Sequence, residues 1–163
     1  MINLKHLIIC FVLVFSVFTG NANVRVVPVS DLIALEKHMK ATELITHILT
    51  TYHYKKTELN DDLSNTIFEN YFENLDQNKA YLISSDIKTF EKFRYIIDDS
   101  IKNSDISLAF EIFKLYRNRV EERINYALKI LDYDFDFNVE ESFRFDRRDD
   151  NWAGSSLDLD ELW

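Results

Sequence analysis

The sequence predicts a mainly α fold, a helical bundle-like scaffold of four to five helices with one short extended segment near 133–138. Three observations predict it. Apolar residues recur every three to four positions over most of the chain. Two glycines and one proline in 163 residues are too few for a turn-rich β architecture. Hydrophobic residues at 47% and aromatic residues at 14% suffice for one core at this length. The same composition argues against several functions. Acidic side chains outnumber basic ones 28 to 19, which disfavours nucleic acid and anionic lipid as general partners. So few glycines cannot build a glycine-rich phosphate loop. A single cysteine allows neither an internal disulfide nor a zinc site made of thiolates.

Residues 1–22 read as an export signal. Lys5 and His6 precede a 12-residue apolar run, Leu7 to Phe18, and small residues at Gly20 and Ala22 suit a signal peptidase. Cleavage is expected after Ala22, leaving a periplasmic domain over residues 23–163. The run would rise only about 18 Å as a helix, short of a ~30 Å hydrocarbon core, so no integral membrane segment is expected once the signal is removed. Cys10 lies inside the run behind the bulky Ile9, which does not fit lipid attachment. Cleavage also removes this cysteine, the only one, and a chain without thiols tolerates an oxidising compartment.

After an extended lead-in through Pro28, the spacing of Leu32, Leu35, Met39, Ile45, Leu49 and Tyr52 predicts a first helix from about Leu32 to His53, with a weak step near Thr42. Asp61 and Asp62 place negative charge at the start of a second helix, which carries Leu63, Ile67 and Tyr71 on one ridge and Phe68, Phe72 and Leu75 on the next. It ends near Asp76. Ser84 and Ser85 can cap a third helix, whose stripe of Ile87, Phe90, Phe93, Ile97 and Ile101 reaches Lys102. Ile106, Phe110, Phe113, Tyr116, Val120, Ile124, Ala127 and Leu131 predict a long fourth helix. They put Phe113 inward and Glu121 on the solvated face. Tyr133, Phe135 and Phe137 then alternate with Asp134, Asp136 and Asn138, the period of a short strand or extended crossing segment. Leu157, Leu159, Leu162 and Trp163 begin one more apolar element.

Chemistry-bearing residues form no catalytic pattern. His38, His47 and His53 never fall three or four positions from one another, so no two share a helical turn as metal ligands. Asp132, Asp134, Asp136 and Asn138 imitate the start of a calcium loop, but Phe137 stands where a glycine must turn and Phe143 where a bidentate glutamate is needed. Ser64, Ser84 and Ser104 lie at helix starts and turns, with no glycine-bearing turn to form an oxyanion hole. Glu140 and Glu141 are adjacent and point apart. Arg144, Arg147 and Arg148 are balanced by Asp146, Asp149 and Asp150, the composition of an internal ion-pair knot rather than an anion site. No catalytic, cofactor or metal residue is expected.

Leu63-Ser64, Ile67-Phe68, Tyr71-Phe72, Leu75-Asp76, Tyr81-Leu82, Ser85-Asp86-Ile87 and Phe90 occur in an order and spacing with more specificity than any of these. Glu122-Arg123, Tyr126-Ala127-Leu128, Phe137, Glu140, Asp146-Arg147, Trp152-Ala153, Leu159 and Leu162-Trp163 continue the pattern. From Val29 to Trp163 the chain resembles the N-terminal helical domain of tail-specific proteases, the bacterial carboxy-terminal processing peptidases. The resemblance implies a periplasmic serine-type endopeptidase in which this domain precedes a PDZ domain and a serine–lysine core. No position here matches that serine, that lysine or the PDZ groove. The expectation is therefore a non-catalytic scaffold piece, incomplete at its C-terminal side, whose partner is the remainder of a tail-specific protease. The alternative is a free-standing periplasmic module that binds a protease or a lipoprotein adaptor.

Overall fold

A computed structural model of the chain describes residues 26–55 and 58–163. The expected leader, residues 1–22, lies outside them. Among the described residues there are six α-helices: α1 Glu36–Thr51, α2 Asp61–Leu75, α3 Ser84–Phe90, α4 Ile97–Lys102, α5 Ser107–Ile130 and α6 Ser156–Asp160. Val29–Asp31 and Glu91–Phe93 are single 3-10 turns. No helix among these residues is long and apolar enough to cross a membrane.

The core is built around Phe68 and Phe72 of α2, Leu82 of the following loop and Ile112 of α5. Half-buried side chains including Tyr71, Ile87, Phe90, Leu115 and Trp152 pack around them. The two phenylalanines lie one helical turn apart with ring centroids 5.0 Å from each other, so one face of α2 presents a continuous aromatic ridge. The α2 start follows the expected chemistry. The Asn60 side chain accepts the Leu63 N–H at 3.0 Å, and Asp61 and Asp62 sit in the first turn.

Helix α1 begins four residues later than the apolar spacing suggests. Leu35 is still extended, and its N–H donates to His38 Nδ1 at 3.1 Å. That bond caps the helix from within, so Leu32 and Leu35 belong to the lead-in. The His38 ring also stacks on Phe110, with centroids 5.4 Å apart, which ties the start of α1 to α5.

The stripe from Ile87 to Ile101 is not one helix. After α3 the chain tightens into the 3-10 turn, turns through Arg94 to Ile96 and restarts at Ile97. A turn of three residues keeps apolar side chains nearly in phase, so the break leaves no trace in the spacing. Arg94 holds it. Its guanidinium bonds both oxygens of Glu91 at 2.6 and 3.1 Å and reaches Asn65 and Glu69 of α2 at 2.7 and 2.9 Å. It also lies 4.5 Å over the Phe68 ring.

The long helix α5 matches its expected span, but its inward face is turned by one residue, about 100°. Ile112 is 2% exposed, whereas Phe113 is half-buried and Ile124 and Leu131 are exposed. The inward line runs Leu108, Ile112, Leu115, Arg119, Arg123. It ends in two arginines, so a search for apolar periodicity selects the neighbouring line instead. Ile112→Ala is therefore expected to destabilise the domain more than Phe113→Ala, by about 1 kcal/mol or more. Glu121→Ala should change stability by less than about 0.5 kcal/mol. Urea unfolding of the three variants checks the ranking, and equal losses at 112 and 113 would contradict this face.

No strand forms at 133–138. Residues 131–151 contain no helix and no ladder, and the β-bridge among the described residues joins Ile83 to Ala153 in parallel. Period-two sequence becomes a strand only when another strand accepts its backbone, and within these residues none does.

Candidate interaction surface

Several carboxylates are buried in places that define the shape of one end of the molecule. Asp76 closes α2 and is 2% exposed. Its Oδ1 accepts the Ala80 N–H at 2.8 Å, and its Oδ2 accepts those of Tyr81 and Leu82 at 3.0 and 2.8 Å. Three backbone donors on one carboxylate fold residues 77–82 into a fixed hook, with Lys79 in the left-handed region at φ 54°. The Lys79 ammonium lies 4.3 Å over the Trp152 ring.

Asp86, 6% exposed, accepts the Ile83 N–H at 3.1 Å and both the Nε and an Nη of Arg119, at 2.9 and 2.8 Å. The Asp86 bonds are the main cause that holds the Arg119 guanidinium firmly protonated, and Glu122 adds to it. One turn further along α5, Arg123 pairs with Asp160 at the end of α6 and lies over the Tyr126 ring. Ser84 N–H donates to the Ala153 carbonyl at 2.8 Å, and Trp163 Nε1–H donates to the Ala80 carbonyl at 2.8 Å. The Trp163 ring stands edge-on to Tyr81, and Leu159 of α6 is buried. Residues 152–163 thus clip onto the hook and the start of α3.

The sequence-singled serines fall into structural roles. Ser64 is fully buried. Its hydroxyl donates to Asp98 Oδ1 at 3.0 Å and accepts the Asp98 N–H at 2.8 Å, so it caps α4 from across the core. Lys102 Nζ bonds Asp98 Oδ2 at 2.7 Å, on the carboxylate rather than on Ser64. Ser84 donates to the carbonyls of Trp152 and Ala153. Ser104 sits in a left-handed turn at φ 57°. The three histidines stay apart, and among the described residues no three His, Cys, Asp or Glu side chains converge on a metal-sized space. Arg144 and Arg147 both pair with Asp150, and Arg148 with Asp146 at 2.7 Å, the internal knot that the composition suggests. Hydrogen bonds from Arg148 draw the Asp146 carboxyl down to about 2.

The Lys102 bond is the chief cause that holds the Asp98 carboxyl below its ordinary value; burial opposes it and the Ser64 hydroxyl assists. A carboxyl depressed on folding stabilises the fold above its unfolded value, about 3.9, and loses that contribution as pH falls through the folded value. Between pH 5 and 3 the unfolding midpoint of Asp98→Asn should therefore fall less than that of the wild type. Parallel curves would mean that Asp98 titrates alike in both states.

Two of the apolar regions left uncovered among the described residues bear on an interaction. A groove of about 410 Å³ between α1, α2 and α4 is lined by Ile45, Leu49, Leu63, Ile67 and Ile101, among others. The second is the segment from Tyr133 to Phe145, which carries large exposed aromatic side chains. Exposed apolar patches of this kind mark surfaces made to be covered.

A family model described as "Tail specific protease N-terminal domain" matches residues 45–163. The chain belongs to this family. Among its relatives is a tail-specific protease of Haemophilus influenzae, 35% identical over 129 residues, which cover 78% of this chain and 19% of that protein. The chain thus spans about a fifth of the length of that curated relative. The matched span of this tail-specific protease domain includes α2 through α6 with the hook, the Asp86–Arg119 pair and the clip. Sequence reasoning reached Asp76 and Asp86 through the resemblance but passed over Arg119 and Asp160. The available signal was the position of Arg119 and Arg123, seven and eleven residues after Ile112 and on the same helical line.

Proposed function

We propose that this domain is the non-catalytic N-terminal scaffold of a periplasmic tail-specific serine endopeptidase, and that it works by packing against the PDZ and catalytic portions of that enzyme. The observation that carries the reading is the family match over residues 45–163 to a small share of a longer protease. The serine environments agree with it. Ser64 is inaccessible and Ser84 is engaged with backbone carbonyls, whereas acyl transfer needs an exposed, activated nucleophile beside an oxyanion hole. The purified chain should leave proteins with apolar C-termini intact. Turnover that survives rigorous purification and disappears on substituting one of its serines would overturn the reading.

Export belongs to the same proposal, with residues 1–22 as the signal and residues 23–163 as the mature domain. N-terminal sequencing of the chain recovered from a periplasmic extract should begin at Asn23. Recovery of intact Met1 in the cytoplasmic fraction would contradict it.

The apolar groove beside α1 favours a second reading, a free-standing module for a lipoprotein adaptor or another protease. Ile45→Asp separates the two. It should abolish adaptor binding if the groove is the site, and leave assembly with the protease unchanged if it is not.

A further inference from the structure

We infer that residues 132–146 form an edge strand that is completed only by another protein surface, an exposed sheet edge on the rest of the protease. The inference rests on the scaffold reading and names the surface through which it acts. Tyr133, Phe135, Phe137, Val139, Phe143 and Phe145 all occupy odd positions, and every even position from 132 to 146 is polar. That period of two extends beyond 138, interrupted on the odd row by Glu141. In an extended chain it sorts all six apolar side chains onto one face, whereas in a helix it would scatter them. The Phe135 and Phe137 rings already lie side by side, 6.3 Å apart, and those of Phe143 and Phe145 lie 5.1 Å apart. Yet all six are exposed, Phe137 at 92% and Phe145 at 81%.

The backbone is also free to pair. The amides of residues 134–137 donate no hydrogen bond among the described residues. The turn inside the segment is held by Val139 N–H to the Asp136 carbonyl at 3.5 Å, at the limit of hydrogen-bond geometry, and by the Asp136 side chain on the Asn138 amide at 2.9 Å. Straightening it gives up little.

Charge selects the occupant. Asp132, Asp134, Asp136, Glu140 and Glu141 fall within this stretch, with no lysine or arginine between 132 and 142. Two copies paired through residues 132–142 would set carboxylates against carboxylates, which opposes self-pairing there. The complementary surface is a sheet edge with lysine or arginine opposite Asp132 to Glu140 of the even row, and an apolar face against the odd row that leaves Glu141 at a solvated or cationic point. Main-chain bonds would supply affinity there, and the aromatic row would fix the register.

The test places this chain in the whole Haemophilus influenzae protease, in place of the segment it matches, and follows amide exchange residue by residue. Alternate amides between 133 and 145 should exchange roughly 100-fold slower or more in the hybrid than in the chain alone. The amides between them should not, because a strand on one edge turns every second N–H to its partner. Asp134→Pro and Phe135→Pro each delete an amide that donates nothing within the domain. Only one of the two should restore fast exchange along the segment. If the hybrid unfolds in one transition while residues 132–146 exchange fast throughout, the strand proposal fails and the scaffold reading stands. If domain and remainder unfold in two independent transitions, the scaffold reading fails and the strand falls with it. Should the hybrid not fold, the unmodified relative decides at the segment aligned with 132–146. Slow alternating exchange there supports the proposal, and uniformly fast exchange overturns it.

Discussion

Asp76→Ala should destabilise the domain by roughly 4 kcal/mol. The side chain is small, and little apolar surface is lost with it. The cost comes from the three amides of Ala80, Tyr81 and Leu82, which all donate to this one carboxylate. Leu82 is completely buried, so its N–H cannot turn to water without opening the core. Asp76→Asn separates charge from shape. Its amide keeps one acceptor oxygen but presents an NH₂ group toward donors, so it should recover only part of the loss. Chemical denaturation of the three proteins gives the comparison. A loss below about 1 kcal/mol for Asp76→Ala would mean that the hook holds without its carboxylate.

Arg119→Ala should cost about 3 kcal/mol, because it leaves the nearly buried Asp86 without its bidentate partner. Asp86 would keep only the Ile83 N–H. Arg119 is partly open to solvent, so water can relieve some of the penalty. The double variant Arg119→Met/Asp86→Leu should recover much of the loss, since it removes both charges and fills their space with apolar volume. A double variant as unstable as the single one would show that the pair fixes the packing of α3 on α5 rather than merely neutralising charge.

Helix positions were legible because burial of one face imposes a period near 3.6, and the ends of α2 and α5 follow from it closely. Three features were hidden for distinct physical reasons. The break at residues 91–96 preserves the phase of the apolar residues. The inward face of α5 contains Arg119 and Arg123, which are polar in composition but bury their stems and aim their heads at Asp86 and Asp160. The roles of Asp76 and Ser64 depend on backbone amides four to six, and 34, residues away, which no local pattern announces. The alternation near 133–138 was legible as a pattern, but its conformation depends on what lies against it. The candidate surface was therefore readable in its residues and unreadable in its state.

The clip has a kinetic consequence. Ser84 reaches Ala153 across 69 residues of chain and Trp163 reaches Ala80 across 83, whereas Ser64 meets Asp98 across 34. Closing a loop twice as long costs only about 0.6 kcal/mol more entropy. Even so, the clip can dock only on a hook and an α3 that are already ordered. Its contacts should thus form after the transition state for folding, so Leu159→Ala should leave the folding rate nearly unchanged and speed unfolding. Release of residues 152–163 would then be the first step by which the domain opens, exposing Tyr81 and Trp152 to proteases while α2, α4 and α5 remain folded.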